Sequence, residues 1–172
     1  GLDHPHEGHL SITGDNPSVY NDPNDIKNFQ TVMSYDETGF FTDGLMYNDI
    51  KASEFLYGGN PNANISDNDY TWHDYQDLNF RNSIIDKGGE DTFDFSSQTN
   101  GVYVNISPDT WSDLNYNSSE AYYNNETWIA QDGHIYLSSH SDIENVKGSN
   151  FDDFILDNIL TNLIEAGNGN DI

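Results

Sequence analysis

The stretch Asp153-Phe154-Ile155-Leu156-Asp157-Asn158-Ile159-Leu160-Thr161-Asn162-Leu163-Ile164-Glu165-Ala166-Gly167-Asn168-Gly169-Asn170-Asp171-Ile172 repeats with a period of nine. Asp153, Asn162 and Asp171 stand in one register, Phe154, Leu163 and Ile172 in the next, and Ile155 and Ile164 in a third. A polar oxygen donor followed by apolar residues every nine positions is the pattern of a coil of short parallel strands. Each turn is expected to stack its aliphatic side chains on the next and to hold its oxygen donor at the corner.

Upstream of this array, short stretches alternate in the two-residue period of strands. Phe93 and Phe95 flank Asp94, Val102, Val104 and Ile106 are separated by Tyr103 and Asn105, and Ile135 and Leu137 flank Tyr136. With Gly, Asn, Asp and Ser between them, these read as half-buried strands joined by turns. One helix is predicted, where Met46, Ile50, Ser53 and Tyr57 step by four, three and four beside Ala52 and Leu56. Asn48 is its expected N-cap and Gly58-Gly59 its C-terminal stop. Residues 1–43 are rich in turn formers and read as long loops, and Pro61 to Asp69 reads as a polar connector. The organisation expected is therefore a first domain over 1–59 and a mainly β domain over 60–172, with nonapeptide repeats from about residue 148.

Composition narrows the chemistry. Among 172 residues, 30 acids face five bases, for a net charge of −25. Nucleic acid and anionic membranes would be repelled by such a chain. No run of some 18 apolar residues exists to insert in a membrane. Without cysteine, neither disulfides nor thiolate metal sites can form. A mean hydropathy of −0.75 would suit a disordered acidic tail, yet 11 Tyr, 9 Phe and 3 Trp supply a core. The acids lie singly among Asn and Gly, the context in which proteins build oxygen-rich calcium sites. Ala166-Gly167-Asn168-Gly169-Asn170-Asp171 nearly matches the calcium-binding nonapeptide G-G-x-G-x-D-x-U-x. Gly167, Gly169, Asp171 and Asp153 are its calcium candidates, although the frames Gly148–Leu156 and Asp157–Glu165 have lost most glycines.

Several motifs together carry a family resemblance. Gly1-Leu2-Asp3-His4 matches the tail of the metzincin zinc signature H-E-x-x-H-x-x-G-x-x-H. Met33, 29 residues after His4, lies in Thr31-Val32-Met33-Ser34-Tyr35, which resembles the Met-turn of serralysin-type metzincins. Asp86-Lys87-Gly88-Gly89-Glu90-Asp91-Thr92-Phe93-Asp94-Phe95-Ser96 resembles that family's D-x-G-G-x-D-T-x-D-F-S calcium loop. Ile143-Glu144-Asn145-Val146 resembles the segment leading into its β-roll, and Asp49 to Gly58 its closing catalytic-domain helix. The chain thus resembles the C-terminal part of a serralysin-type zinc metalloprotease, least clearly over Thr99–Asp132. The fold implied is mainly β, a remnant of a metzincin catalytic domain followed by a calcium-binding β-sandwich or parallel β-roll domain of repeats-in-toxin type.

The resemblance assigns roles residue by residue. His4 is the third zinc ligand, Tyr35 the phenol that joins the zinc or stabilises the oxyanion, and Met33 the apolar floor beneath the metal. Asp86, Asp91, Asp142 and Glu144 give oxygens to calcium, with carbonyls from Gly88, Gly89, Asn64, Ser66 and Asn68. Zn2+ and Ca2+ are the cofactors implied, a protein or peptide the substrate, the N-terminal remainder of the protease a partner, and the extracellular space the location. The chain carries no H-E-x-x-H, since His6-Glu7-Gly8-His9 has one residue too few between Glu and His. Catalytic zinc takes three protein ligands and a water, so this chain alone is expected to be inactive. The alternative is a non-catalytic calcium module for secretion, folding or adhesion.

Overall fold

The computed structural model describes residues 41–42, 44–72, 80–114 and 133–172. Among these described residues are ten short strands and one helix: β1 (Phe41–Thr42), α1 (Tyr47–Tyr57), β2 (Asp69–Thr71), β3 (Phe80–Ile84), β4 (Thr92–Asp94), β5 (Tyr103–Asn105), β6 (Thr110–Ser112), β7 (Ile135–Leu137), β8 (Asn145–Lys147), β9 (Phe154–Leu156) and β10 (Leu163–Glu165). The chain divides into two compact units. One comprises Gly1–Asn60 with Asn79–Ser83, the other Pro61–Leu78 with Ile84–Ile172.

In the first unit, β1 pairs in parallel with β3, Phe41 opposite Phe80 and Thr42 opposite Arg81. The expected helix is present, but it begins one residue before Asn48. Met46 is the N-cap residue, and its N–H donates to Asp49 Oδ2 at 3.0 Å. A carboxylate three residues in thus satisfies an N-terminal donor and also favours the positive end of the helix dipole. Gly58, with φ +76°, donates to Glu54 O at 2.9 Å and ends the helix as expected. Met46, Ile50 and Ala52 are buried, whereas Leu56 and Tyr57, expected on the same face, are exposed with Phe55. Only the first half of the helix packs its apolar face.

The second unit is built on parallel ladders. β2, β4, β8 and β10 form one sheet in the order β10-β8-β4-β2. Their register sets Tyr70, Phe93, Val146 and Ile164 in one row. β5 and β9 form a second parallel ladder with Val104 opposite Ile155. Strands β8, β9 and β10 start at Asn145, Phe154 and Leu163, nine residues apart, and alternate between the two sheets. Stacked partners are therefore 18 residues apart, as in Val146 and Ile164. This corrects the expectation that Ile155 stacks on Ile164, because each nonapeptide makes only half a turn.

Tertiary packing also overrides the half-buried reading. All three residues of β7 are buried, as is Tyr103. Trp111 packs on Tyr136 with ring centroids 5.1 Å apart, and the Tyr136 hydroxyl donates to Asp109 Oδ1 at 2.7 Å. Tyr103 stacks on Phe154 at 5.6 Å. The first sheet encloses an aromatic cluster in which Trp72 lies flat on Phe95 at 4.9 Å and edge-on to Phe93 at 5.0 Å. Phe93→Ala should therefore cost about 3–5 kcal/mol in denaturant unfolding. Phe55→Ala, on a side chain 74% exposed, should stay within about 0.5 kcal/mol of wild type.

Candidate metal centre

The ends of three parallel strands meet at Asp91. Its Oδ1 accepts the Asn68 N–H at 2.8 Å, just before β2. Its own N–H donates to Glu144 Oε2 at 2.9 Å, and its carbonyl accepts from Asn145 N at 2.9 Å, at the start of β8. Thr92 N returns to Asn68 O at 2.9 Å. The other carboxylate oxygen, Asp91 Oδ2, is buried and has no hydrogen-bond partner.

Asp86, also fully buried, stands beside it. Its Oδ2 accepts from the Tyr70 hydroxyl at 2.6 Å and from Asn68 Nδ2 at 3.3 Å. Its Oδ1 accepts from Gly88 N at 3.1 Å, and its N–H donates to Ser141 Oγ at 2.9 Å. The Asn68 amide also donates to the Ser66 carbonyl, so one N–H2 group bridges two facing oxygens. Lys87 N donates to Asn64 O at 3.0 Å, and Asp142 N to Asp86 O at 3.2 Å. Asp142 joins this group through its backbone, while its side chain lies on the surface.

Two glycines let the backbone close on the pair. Gly88 and Gly89 have φ of +146° and +141°. A Cβ on Gly89 would lie 2.6 Å from the Ser66 carbonyl carbon and 2.7 Å from its oxygen. Only a residue without a side chain admits the 66–67 backbone here.

Electrostatics show the cost of this arrangement. Burial, and then the carboxylates of Asp86 and Glu144, push Asp91 up from the ordinary 3.8 to about 6, against the opposing pull of the Asn68 N–H. Burial and Asp86 likewise raise the Tyr70 phenol. Among the described residues, no group of three or more His, Cys, Asp or Glu side chains could hold a metal ion. Any ion here must therefore draw on main-chain carbonyls as well as on Asp86 and Asp91. That donor set suits calcium, a hard cation that takes 6–8 oxygens including backbone carbonyls. A buried, donorless carboxylate oxygen and a cradle closed by Gly89 both fit such a guest.

The repeat residues form a separate group. Loops 148–153 and 166–171 stack 18 residues apart, with Asp153 N donating to Asp171 Oδ1 at 3.0 Å, Asn170 N to Asp152 Oδ1 at 2.8 Å and Asn168 Nδ2 to Asn150 Oδ1 at 2.7 Å. Gly167 and Gly169 take positive φ against the carbonyls of Ser149 and Phe151. His4, Met33 and Tyr35 lie outside the described residues. Tyr70 and Ser141 were not identified from sequence. The first is placed by the register that sets Tyr70 beside Phe93 and the second by the approach of a distant loop, and neither has a local signal in the sequence.

No protein-family model matches the chain. Serralysin C of Dickeya chrysanthemi is 33% identical over 135 residues, covering 66% of this chain and 27% of that protein. Serralysin B of the same organism is 31% identical with the same coverage. A serralysin of Photorhabdus laumondii is 27% identical over 153 residues, 78% of this chain and 29% of that protein. The chain spans under a third of the length of these relatives.

A raised carboxylate pKa stabilises the folded chain below the unfolded value near 4, and that stability is lost as pH rises through about 6. The metal-free chain should accordingly melt at a higher temperature at pH 5 than at pH 7.5. Asp91→Asn should shrink that difference, and thermal melts of both proteins in chelator at the two pH values check it.

Proposed function

We propose that this chain, which is of serralysin type, is the calcium-binding C-terminal portion of a secreted zinc endopeptidase. The observation that carries the reading is the buried Asp91 Oδ2 with no hydrogen-bond partner, beside a second buried carboxylate. Calcium would be held by Asp86 and Asp91 with carbonyls of Asn64, Ser66, Asn68, Gly88 and Gly89. Glu144 would stand alongside through its hydrogen bond to Asp91 N, and Asp142 would join through its backbone. Bound there, the ion supplies positive charge where the fold has concentrated negative charge. The Asn68 amide, bridging Ser66 O and Asp86 Oδ2, directs partial positive charge at the same oxygens.

For the complete protein, the resemblance of the N-terminal motifs supports zinc-assisted peptide hydrolysis. His4 would contribute one imidazole to the zinc ion, and the Tyr35 phenol would donate to the developing oxyanion. Met33 would lie beneath as apolar support. A protein or peptide is the substrate in this reading and the extracellular space its place of action. No helix among the described residues is long and apolar enough to cross a membrane. The non-catalytic calcium module differs in one respect, that no H-E-x-x-H pair would complete the zinc site.

Calcium binding only to the folded chain adds RT ln(1 + [L]/Kd), about 2.7 kcal/mol at a hundredfold excess over Kd. Titrating calcium into the chelated protein should raise its melting temperature, and Asp91→Asn should abolish most of the rise. A melting curve indifferent to calcium removes the proposal.

A further inference from the structure

Loops 148–153 and 166–171 occupy equivalent places one turn apart, yet their backbones differ. Gly167 and Gly169 sit in the left-handed region, with φ of +99° and +143°. Their counterparts 18 residues earlier are Ser149 and Phe151, and neither has positive φ. Left-handed backbone is what glycine supplies so that a tight loop can turn its carbonyls inward. With Ser and Phe in ordinary conformations, loop 148–153 has given up that geometry.

Asp153 shows what took its place. The carboxylate is fully buried. Its Oδ1 accepts the Val102 N–H at 2.8 Å and the Ser149 hydroxyl at 2.7 Å, and its Oδ2 accepts the Ser149 N–H at 2.7 Å. An ionised carboxylate offers about four acceptor sites, and three are directed at protein donors. The Cα of Gly148 closes on the rest, since a Cβ there would stand 2.6 Å from Oδ2. Oxygens ringed by N–H and O–H dipoles present positive charge to an approaching cation, which repels it. Asp153 therefore does not fit the calcium role that its place in the repeat suggests.

At the opposite edge of the coil, Asn158 has the same character. Its Nδ2 donates to Ile106 O at 3.1 Å and Ile143 O at 2.8 Å. Its Oδ1 accepts from Leu160 N at 2.9 Å and Asn162 Nδ2 at 3.1 Å. All four hydrogen-bonding positions of one amide are used, and they tie the loop to two earlier segments of the chain. We infer that the first turn of the coil, residues 148–165, is closed by side-chain hydrogen bonds anchored on Asp153 and Asn158 and not by calcium. That turn forms without ions and gives the glycine loop 166–171 a preset surface to stack on. The inference is independent of the ion proposed at Asp86 and Asp91.

Calorimetric titration of calcium into wild type and Asp153→Asn, with melts of both in calcium and in EGTA, tests it. The expected result is an unchanged number of bound calcium ions, with a melting temperature lower by roughly 5 °C or more under both conditions. Loss of one calcium equivalent in the variant overturns the inference. So does an unchanged melting temperature, or a drop confined to the calcium-loaded protein. Should Asp153→Asn fail to fold, Ser149→Ala removes a single donor and is read the same way with a smaller drop. If wild type binds no calcium, the proposal for Asp86 and Asp91 fails while the melts in EGTA still decide this one.

Discussion

Asp91 ties together the starts of three parallel strands while carrying a charge that the fold does not neutralise. Its side chain holds the lead-in to β2, its N–H holds Glu144, and its carbonyl holds the first residue of β8. A neutral residue could make the backbone bonds but not the Asn68 contact with its full charge-assisted strength. Placing the charge there concentrates three carboxylates at one end of the sheet. Asp91 is itself fully buried, and the strand it opens carries Phe93, which packs with Trp72 and Phe95. Burial sharpens the alignment of the strands and the electrostatic penalty together, and a divalent cation held as proposed would relieve the second without disturbing the first.

Asp153 meets the same difficulty differently. Both residues are buried aspartates at the head of a strand, and burial raises both pKa values. Asp153 collects three donors from Val102 and Ser149, whereas Asp91 collects one and leaves an oxygen bare. Donors supplied by the protein make a permanent joint, always assembled. An oxygen left without a donor makes a conditional one, whose strength depends on what the surrounding solution contains. The second unit contains both kinds within one set of stacked turns.

Much of this was legible in the residues. The helix from Tyr47 to Tyr57, the strands around Phe93, Val104 and Tyr136, and the nine-residue period all follow from local pattern. What the pattern could not carry was rotation: a period states how often a motif returns, not how far the chain has turned by then. Ile155 and Ile164 look like neighbours in sequence and lie in different sheets for that reason. Burial of Tyr103 was equally hidden, since its partner Phe154 is 51 positions away. At the candidate site, the carboxylates and glycines were singled out by the resemblance of their loop to a family motif. The Tyr70 hydroxyl and the Ser141 hydroxyl depend on strand register and loop approach, which no local window contains. The position of Asp153 in the repeat matches a ligand, while its hydrogen-bond donors come from Ser149 and from Val102, a distant segment.

The half-turn pitch has a consequence for how such an array can change length. Inserting or deleting one nonapeptide moves every later strand to the opposite sheet and every later glycine loop to the opposite edge. Stacked pairs such as Asn150 with Asn168 would then face strangers. Duplicating 18 residues preserves both sheets and both edges. The coil therefore has a parity, and lineages that lengthen or shorten it are free to do so in even numbers of units while odd steps scramble its neighbours.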